Sequence, residues 1–339
     1  MNTIEALVCT SPGQLRIEQR PTPQVAPGQA LVKPRRIGIC GTDYHILEGK
    51  HPFLQYPRVM GHELAVEVVA APSGSGFSVG DVCVVNPYLS CGTCHACSRG
   101  KPNCCVKISV LGVHQDGGMQ QLISIPTANL IKSNGLTADE CATVEFLAIG
   151  AHAVRRGMVS KDDRVAVVGA GPIGLGTTLF ASLSGARVAV LDRDSERISV
   201  AEAIAGAEPI AIEDGYQKKV ASFTNDNGFD VLFDATGNAK AMQAGFDLVA
   251  HGGRYVLVSV VKDNITFADP DFHRKEMTLL GSRNATSQDF ERVMAAIRDR
   301  KVPVDKIITH RTRLAEAVNM MPQWAQQKSG LIKALVEID

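Results

Sequence analysis

Several features that would mark a particular class of protein are missing from this sequence. Lys and Arg total 35 and Asp and Glu total 35, so no excess positive charge attracts nucleic acid or acidic lipid. No apolar run approaches the ~18–20 residues that span a bilayer, and the start, MNTIEALVCT, lacks the features of a secretory signal. We therefore expect a cytoplasmic protein that acts on a small molecule and binds neither nucleic acid nor membrane.

What is present is an ordinary globular composition with many cysteines. The 339 residues are 45% apolar and 21% charged, and at about 100–200 residues per domain this length predicts two domains. Five of the nine cysteines fall between positions 91 and 105, which indicates metal binding. Disulfides are not expected in a reducing compartment, and Cys9, Cys83 and Cys141 are expected to be buried thiols.

The pattern of the chain changes near residue 138. Before it, strands and turns dominate, with predicted strands at 30–39, 63–71 and 81–89. After it, strands and helices alternate, which predicts an α/β domain with a doubly wound parallel sheet. The predicted helices are 137–157 with Thr137 as N-cap, 172–185, 195–206, 239–253, 289–299 and 314–326. The later predicted strands are 164–171, 187–192, 229–237, 254–260, 278–282 and 331–338.

A glycine motif lies where the first strand of this alternation meets its helix. Its spacing is G-x-G-x-x-G, in which the glycines allow a tight turn, close approach of a pyrophosphate and packing of helix on strand. The strand–helix context favours a dinucleotide site over a glycine-rich turn in some other α/β domain. The residues expected to bind the cofactor here are Gly169, Gly171, Pro172, Ile173 and Gly174.

Asp192 predicts a preference for NAD over NADP. It ends the next predicted strand, 18 residues after Gly174, where an acid accepts hydrogen bonds from the ribose hydroxyls and repels a 2′-phosphate. Arg193 and Arg197 leave another interpretation open, because a nearby Arg can accommodate a 2′-phosphate. These arginines could instead stack on adenine or pair with acidic neighbours, and Arg197 is expected at the cofactor.

The segment 91–105 predicts a structural zinc site. Cys91, Cys94 and Cys97 are spaced C-x2-C-x2-C, and Cys105 follows after seven residues. Four thiolates on one loop can bind a tetrahedral zinc, which replaces the core that this polar lobe lacks. The regular spacing favours zinc over redox cysteines or chance, although Cys104 competes with Cys105 for the fourth position.

A second candidate metal site is spread along the first 145 residues. Cys40 lies in GICGTD, His62 and Glu63 lie in GHE, and Glu145 follows much later. Alone, each residue type is commonly structural, but together they offer ligands for a catalytic zinc with room for a substrate oxygen. Such a zinc would lower the pKa of a substrate hydroxyl, and the nicotinamide would accept the hydride.

The order of these motifs resembles the zinc-containing medium-chain alcohol dehydrogenase superfamily over essentially the whole chain. The resemblance implies a GroES-like catalytic domain, 1–149 and 291–339, and a Rossmann NAD-binding domain, 150–290, through which the protein forms a homodimer or homotetramer. The segments shared in family order are ICGTD, YPRVMGHE, VGD, the four-cysteine lobe, GAGPIGLG and DATG. Those similar to a bacterial sugar-acid branch are NCCVKISVLGVHQDGG, AHAVRR, ADPDFHRKE and GSRNAT.

The resemblance also implies roles for single residues, and two zinc ions per chain. Cys40 and His62 would bind the catalytic zinc, with Glu63 as ligand or close partner. Glu145 matches the family's glutamate, although Phe146 stands where the family usually has proline.

Proton transfer is implied for two neighbouring residues. Thr42 matches the family's hydroxyl residue that passes the substrate proton outward. His45 is either the next carrier or a solvated histidine at the start of a helix.

The expected substrate is a secondary alcohol of a sugar acid or polyol, such as L-galactonate. Arg283 and Lys275 are candidates to bind its carboxylate, although Arg283 could instead contact the cofactor or brace a loop. A zinc threonine- or sorbitol-type dehydrogenase is the alternative. A zinc-free quinone or enoyl reductase would have no use for the cysteine lobe, and an NAD sensor without activity would have a broken ligand set.

Overall fold

The computed structural model describes residues 3–50, 54–327 and 329–338. Two compact units are formed, one by Met1–Glu145 with Thr286–Asp339 and the other by Phe146–Ala285. The boundaries predicted from the sequence, after residues 149 and 290, lie slightly further along the chain. Within the described residues, no helix combines the length and apolarity needed to cross a bilayer.

Strands and helices are numbered in chain order. The N-terminal segment contains β1 (Thr3–Ser11), β2 (Gln14–Pro21), β3 (Gln29–Ile39), α1 (Gly41–Leu47), β4 (Arg58–Val59), β5 (Glu63–Ala70), β6 (Val82–Val85), β7 (Tyr88–Leu89), α2 (His95–Ser98), β8 (Ser109–Val110), β9 (Ile123–Pro126), β10 (Leu130–Lys132) and α3 (Ala138–Ala142). The middle segment contains α4 (Val144–Arg156), β11 (Arg164–Val168), α5 (Pro172–Leu183), β12 (Arg187–Asp192), α6 (Ser195–Ala205), β13 (Glu208–Ala211), α7 (Tyr216–Thr224), β14 (Phe229–Asp234), α8 (Ala239–Leu248), β15 (Val249–Leu257), α9 (Asp269–Arg274) and β16 (Thr278–Gly281). The C-terminal segment contains α10 (Ser287–Arg298), α11 (Val304–Ile307), β17 (Ile308–Arg313), α12 (Ala317–Gln326) and β18 (Lys333–Glu337).

Strand β3 organises the sheet of the first unit. The strand order is β10-β6-β5-β3-β18-β17, and β9 also pairs with β3. On one side, β18 runs antiparallel to β3 with Ala334 opposite Ile39 and Leu335 opposite Gly38. On the other side, β5 begins with Glu63 opposite Gly38. Segments far apart in sequence therefore meet at the C-terminal end of β3.

The second unit contains a six-stranded sheet in the order β13-β12-β11-β14-β15-β16. Every neighbouring pair in it is parallel. From β11 the chain adds β12 and β13 on one side of the sheet, and then returns to add β14, β15 and β16 on the other side. In parallel sheets, ligands bind beyond the carboxyl ends of the strands at the point where this order reverses. The predicted α/β class, with a β-rich unit and a parallel-sheet unit, is confirmed.

Two predicted helices differ from the structure. The predicted helix 137–157 is two helices, because the Thr143 hydroxyl and N–H both donate to the Glu140 carbonyl and form a tight turn between α3 and α4. Its predicted cap is confirmed, since Thr137 Oγ1 accepts from Glu140 N. The predicted helix 239–253 ends at Leu248, because Val249 already pairs with Phe229 in the sheet.

Candidate metal and dinucleotide sites

The four-cysteine lobe brings its thiols together without an apolar core. The sulfur atoms of Cys91, Cys94, Cys97 and Cys105 all lie within 4.8 Å of one another. A tetrahedral zinc with bonds of about 2.3 Å needs sulfurs separated by about 3.8 Å, and the Cys91–Cys105 and Cys94–Cys97 sulfur pairs are each 3.5 Å apart. The donor set therefore fits zinc. Cys104 is outside this group and its side chain is exposed.

Backbone groups of the lobe favour thiolates. The N–H groups of Thr93 and Cys94 lower the pKa of Cys91 to about 6. The sulfur of Cys105 accepts from the N–H groups of Cys91 and Lys107, at 3.3 Å each. Burial and the neighbouring sulfurs of Cys94 and Cys105 instead raise the pKa of Cys97 to about 11, and a bound zinc, which takes the thiolate form of cysteine, would lower it.

The second group of metal-binding side chains lies at the end of β3. One ligand atom each from Cys40, His62 and Glu63 lies within 4.8 Å of the other two. Cys40 is the N-cap residue of α1, directly after β3, and Glu63 is the first residue of β5. One sulfur, one imidazole and one carboxylate match the ligands of a catalytic zinc, which keeps a position open for substrate.

Asp43 holds the two loops of this group in place. Its buried carboxylate accepts from Cys40 N at 2.9 Å and from Gly61 N at 3.3 Å. Its Oδ1 also lies 3.9 Å from His62 Nδ1. At that distance the carboxylate acts on the imidazole through its charge rather than through a hydrogen bond, and this role was not predicted.

The surroundings of His62 stabilise positive charge. Burial disfavours the imidazolium, but the negative charges of Asp43, Cys40 and Glu145 together raise the pKa of His62 well above its usual value. Nδ1 of His62 is buried and has no hydrogen-bond partner among the described residues. The same negative groups would favour a metal cation bound by the imidazole.

Lys333 enters the same region from the C-terminal strand. Its Nζ lies 2.7 Å from each carboxylate oxygen of Glu63 and donates to the Ile39 carbonyl at 3.2 Å. The side chains are 1% and 0% exposed, so the pair is fully desolvated. Burial disfavours the charged ammonium, but Glu63 outweighs this and raises the pKa of Lys333.

Glu145 lies beside the metal-binding group rather than in it. Its Oε1 accepts a hydrogen bond from the Tyr88 hydroxyl, and both side chains are buried. Burial raises the pKa of Glu145 to about 7. Its Oε2 is buried without a hydrogen-bond partner in the part of the chain described.

The two predicted proton carriers lie on α1, next to Cys40. Thr42 is half-buried and His45 is exposed. Their order on the helix, from the metal-binding group to solvent, is compatible with the predicted relay and with a solvated His45.

The glycine motif forms the turn between β11 and α5. Gly169 has a φ of +96°, which favours glycine, and a Cβ at Gly174 would collide with the Gly169 carbonyl oxygen. Gly171 is the N-cap of α5 and has open space where a Cβ would lie. Pro172 and Ile173 begin the helix. The N-terminus of this twelve-residue helix is therefore open to a phosphate.

A cavity of about 580 Å³ lies at this turn. Gly169, Gly171, Asp192 and Arg197 line it together with cationic residues that include Lys240. The Asp192 oxygens accept from Ala170 N at 2.7 Å and Asp194 N at 3.0 Å. Arg197 Nε lies 3.5 Å from the Asp194 carboxylate, which is one of the pairings considered above.

Comparison with known proteins identifies the family. Residues 26–135 match the alcohol dehydrogenase GroES-like domain, and residues 172–299 match the zinc-binding dehydrogenase domain. The chain is 40% identical to the L-galactonate-5-dehydrogenase of Escherichia coli K12 over 99% of both chains. The chain belongs to the zinc-binding dehydrogenase family. This dehydrogenase is therefore an alcohol oxidoreductase, and the predicted class and the zinc and nicotinamide cofactors are confirmed.

Solved structures show the same two-unit fold. The RspB alcohol dehydrogenase of E. coli CFT073, solved with NADH, superposes on this dehydrogenase with a TM-score of 0.93 at 27% identity over 100% of both chains. A zinc-binding dehydrogenase of Sinorhizobium meliloti, solved with NADP, gives a TM-score of 0.90, also at 27% identity and full coverage. Similar folds therefore bind either dinucleotide.

One predicted substrate contact of the dehydrogenase is wrong. Lys275 was expected to meet a carboxylate, but its Nζ donates to the carbonyls of Phe246, Asp247 and Val249 at 2.9–3.1 Å. These bonds cap the C-terminal end of α8 and use all three ammonium donors. Arg283 is exposed, and its role stays a prediction.

Other residues of the dehydrogenase site were missed. A signal for Lys333 was available, because a single lysine within the apolar run LIKALVEI marks a buried charge that needs a partner. Asp43 stands in the GICGTD motif itself. Tyr88 carries no comparable signal, since its partner lies 57 residues away.

Proposed function

We propose that this dehydrogenase transfers hydride between a secondary alcohol of a sugar acid or polyol, such as L-galactonate, and NAD. The observation that carries the proposal is the cysteine–histidine–glutamate group at the end of β3, in which His62 and Glu63 are buried and Cys40 is half-buried. The similarity to an L-galactonate-5-dehydrogenase over 99% of the chain supports the substrate class.

The proposed catalytic metal residues are Cys40, His62 and Glu63, with Glu145 beside them. Zinc held there supplies a Lewis acid that lowers the pKa of the substrate hydroxyl. Thr42 would accept the hydroxyl proton while passing its own proton on toward His45, and His45 would release a proton to solvent. Asp43 holds the backbone on either side of the site, through Cys40 N and Gly61 N, and places a negative charge beside His62.

The second unit provides the hydride acceptor. The N–H groups at the start of α5 bind the pyrophosphate of NAD, and Asp192 binds the adenosine ribose. The turn residues Gly169, Gly171 and Gly174 allow the approach, and Arg197 lines the same cavity.

A substrate screen tests the proposal. NAD reduction is measured with purified protein on L-galactonate and other hexonates, on polyols including sorbitol, and on L-threonine. We expect aldonates to give the highest kcat/KM. Preference for sorbitol or threonine would replace the sugar-acid assignment with the alternative, and absence of any alcohol oxidation would overturn the function.

Zinc content distinguishes the two cysteines that compete for the lobe. Because Cys105 belongs to the sulfur group and Cys104 does not, Cys104→Ala should keep two zinc ions per chain and near-normal thermal stability. Cys105→Ala should lose one zinc and unfold at a lower temperature, since the lobe depends on the metal. Loss of zinc from Cys104→Ala, measured by metal analysis, would show that the ligand assignment is wrong.

Cofactor preference is expected to depend on Asp192. A 2′-phosphate would place like charges close together, so we expect at least about tenfold discrimination against NADP, about 1.4 kcal/mol. Asp192→Ala should reduce the ratio of kcat/KM for NAD to that for NADP. Asp162→Ala is the control, because Asp162 is an exposed acid of the same unit that does not line the cavity. Equal use of both cofactors by the wild type would contradict the assignment.

We infer self-association through the parallel sheet. β16 is the last strand in its order, and Leu279 on it is 38% exposed. An open strand edge with apolar side chains is a ready surface for pairing with another chain. Light scattering should report a dimer or tetramer, and a monomer would contradict the inference.

A further inference from the structure

Tyr88 and Glu145 form a buried polar pair beside the proposed catalytic metal site. The Tyr88 hydroxyl donates to Oε1 of Glu145, and neither side chain reaches solvent appreciably. Glu145 also experiences the positive charges of His62 and Lys333 and the negative charge of Glu63. The pair is therefore electrically part of the metal site, although Glu145 is not one of its three clustered ligands.

The ring of Tyr88 is held firmly. It packs edge-on against Phe290, with ring centroids 6.4 Å apart at 77°. Its backbone N–H donates to Asn86 Oδ1 at 3.1 Å, and Asn129 Nδ2 donates to the Asn86 carbonyl at 2.9 Å. These contacts restrict the positions open to the hydroxyl and therefore to the carboxylate that accepts from it.

The two oxygens of Glu145 are unequal. Oε1 is occupied by Tyr88, whereas Oε2 is buried and without a hydrogen-bond partner among the residues described. A buried acceptor left unsatisfied is costly. The nearby ammonium of Lys333 is already bound to both oxygens of Glu63. The positive charge of a cation in the Cys40–His62–Glu63 group would attract Oε2, although Glu145 is not one of the three clustered ligands.

We propose that Tyr88 is a positioning residue that restrains Glu145 beside the catalytic metal and leaves only Oε2 free to approach it. This proposal rests on the proposed function of the site. The phenol hydrogen bond competes with coordination in two ways, because it fixes the carboxylate and withdraws charge from it. Without that bond, the buried carboxylate would turn to the metal as its strongest remaining partner.

Zinc release to a chromophoric chelator tests this. Catalytic zinc is recognised as the release phase that Cys40→Ser lacks. Tyr88→Phe keeps the ring that packs on Phe290, and we expect it to slow this phase about tenfold, equivalent to about 1.4 kcal/mol, with the structural-zinc phase unchanged. In a Glu145→Gln background, Tyr88→Phe should have no such effect, because the two residues act as a coupled pair.

A second buried tyrosine provides the control. The Tyr255 hydroxyl donates to the Met242 carbonyl in the other unit, so Tyr255→Phe should leave zinc release unchanged. Zinc release from Tyr88→Phe that is unchanged or faster would overturn the role of Tyr88. So would an equal slowing of zinc release by Tyr88→Phe in the Glu145→Gln background. Neither result would contradict the metal site itself. A wild-type protein that binds only one zinc would overturn the metal site and this proposal together.

Discussion

His62→Ala is expected to lower kcat for alcohol oxidation by at least about 10³-fold, or about 4 kcal/mol. The imidazole is one of three clustered ligand groups, and the metal cannot activate the substrate hydroxyl once its coordination is broken. Binding of NADH should be unchanged, because the glycine turn and its cavity belong to the other unit.

Cys40→Ser should likewise lose turnover and keep NADH binding. Because NADH binding requires a folded second unit, its survival in both variants would assign the loss of turnover to the metal site rather than to unfolding. His251→Ala is the matched control, since this histidine is exposed and distant in sequence from the metal group. The measurements are steady-state turnover, metal content and NADH titration. A fully active His62→Ala protein would exclude the mechanism.

Lys333→Met is expected to be the most destabilising single change in the first unit. It removes the ammonium bound to both oxygens of a carboxylate that is 0% exposed. In protein freed of the catalytic zinc, breaking this buried ion pair by removing one partner costs about 3–5 kcal/mol, because the remaining charge is then buried without compensation, so the variants are compared after removal of that metal. Urea unfolding should show the loss as a lower midpoint.

The double variant Lys333→Met/Glu63→Leu should recover most of that loss, since an apolar pair replaces both charges. Lys132→Met is the control, because the Lys132–Asp81 pair, 2.9 Å apart, is partly exposed, with side chains 45% and 28% accessible, and should contribute little. A midpoint for Lys333→Met as high as that of Lys132→Met would show that the buried pair is not needed for stability.

The parts of the site predictable from the sequence are those built from neighbours in the chain. The four cysteines lie within fifteen positions, and the glycine motif lies within six, so spacing alone indicates their chemistry. The pairing of Glu63 with Lys333 depends on β18 lying beside β3. No local pattern encodes a contact across that distance, and only the charge in an apolar strand hints at it.

Errors in the secondary structure have similar causes. Residues 249–253 continue a helical pattern, but pairing of Val249 with Phe229 and capping of α8 by Lys275 place them in β15. β13 was not predicted because it contains Pro209, which is tolerated at the edge of a sheet. In both cases tertiary contacts decide the local conformation.

The position of β18 in the chain has a consequence for synthesis. Residues of the parallel-sheet unit are contiguous, so that unit can fold as it leaves the ribosome. The metal-binding group is different, because Cys40, His62 and Glu63 are made early and Lys333 is made late. Until β18 pairs with β3, Glu63 lacks the ammonium that allows its burial. The nascent first unit therefore holds this carboxylate without its ammonium partner until Lys333 has been translated.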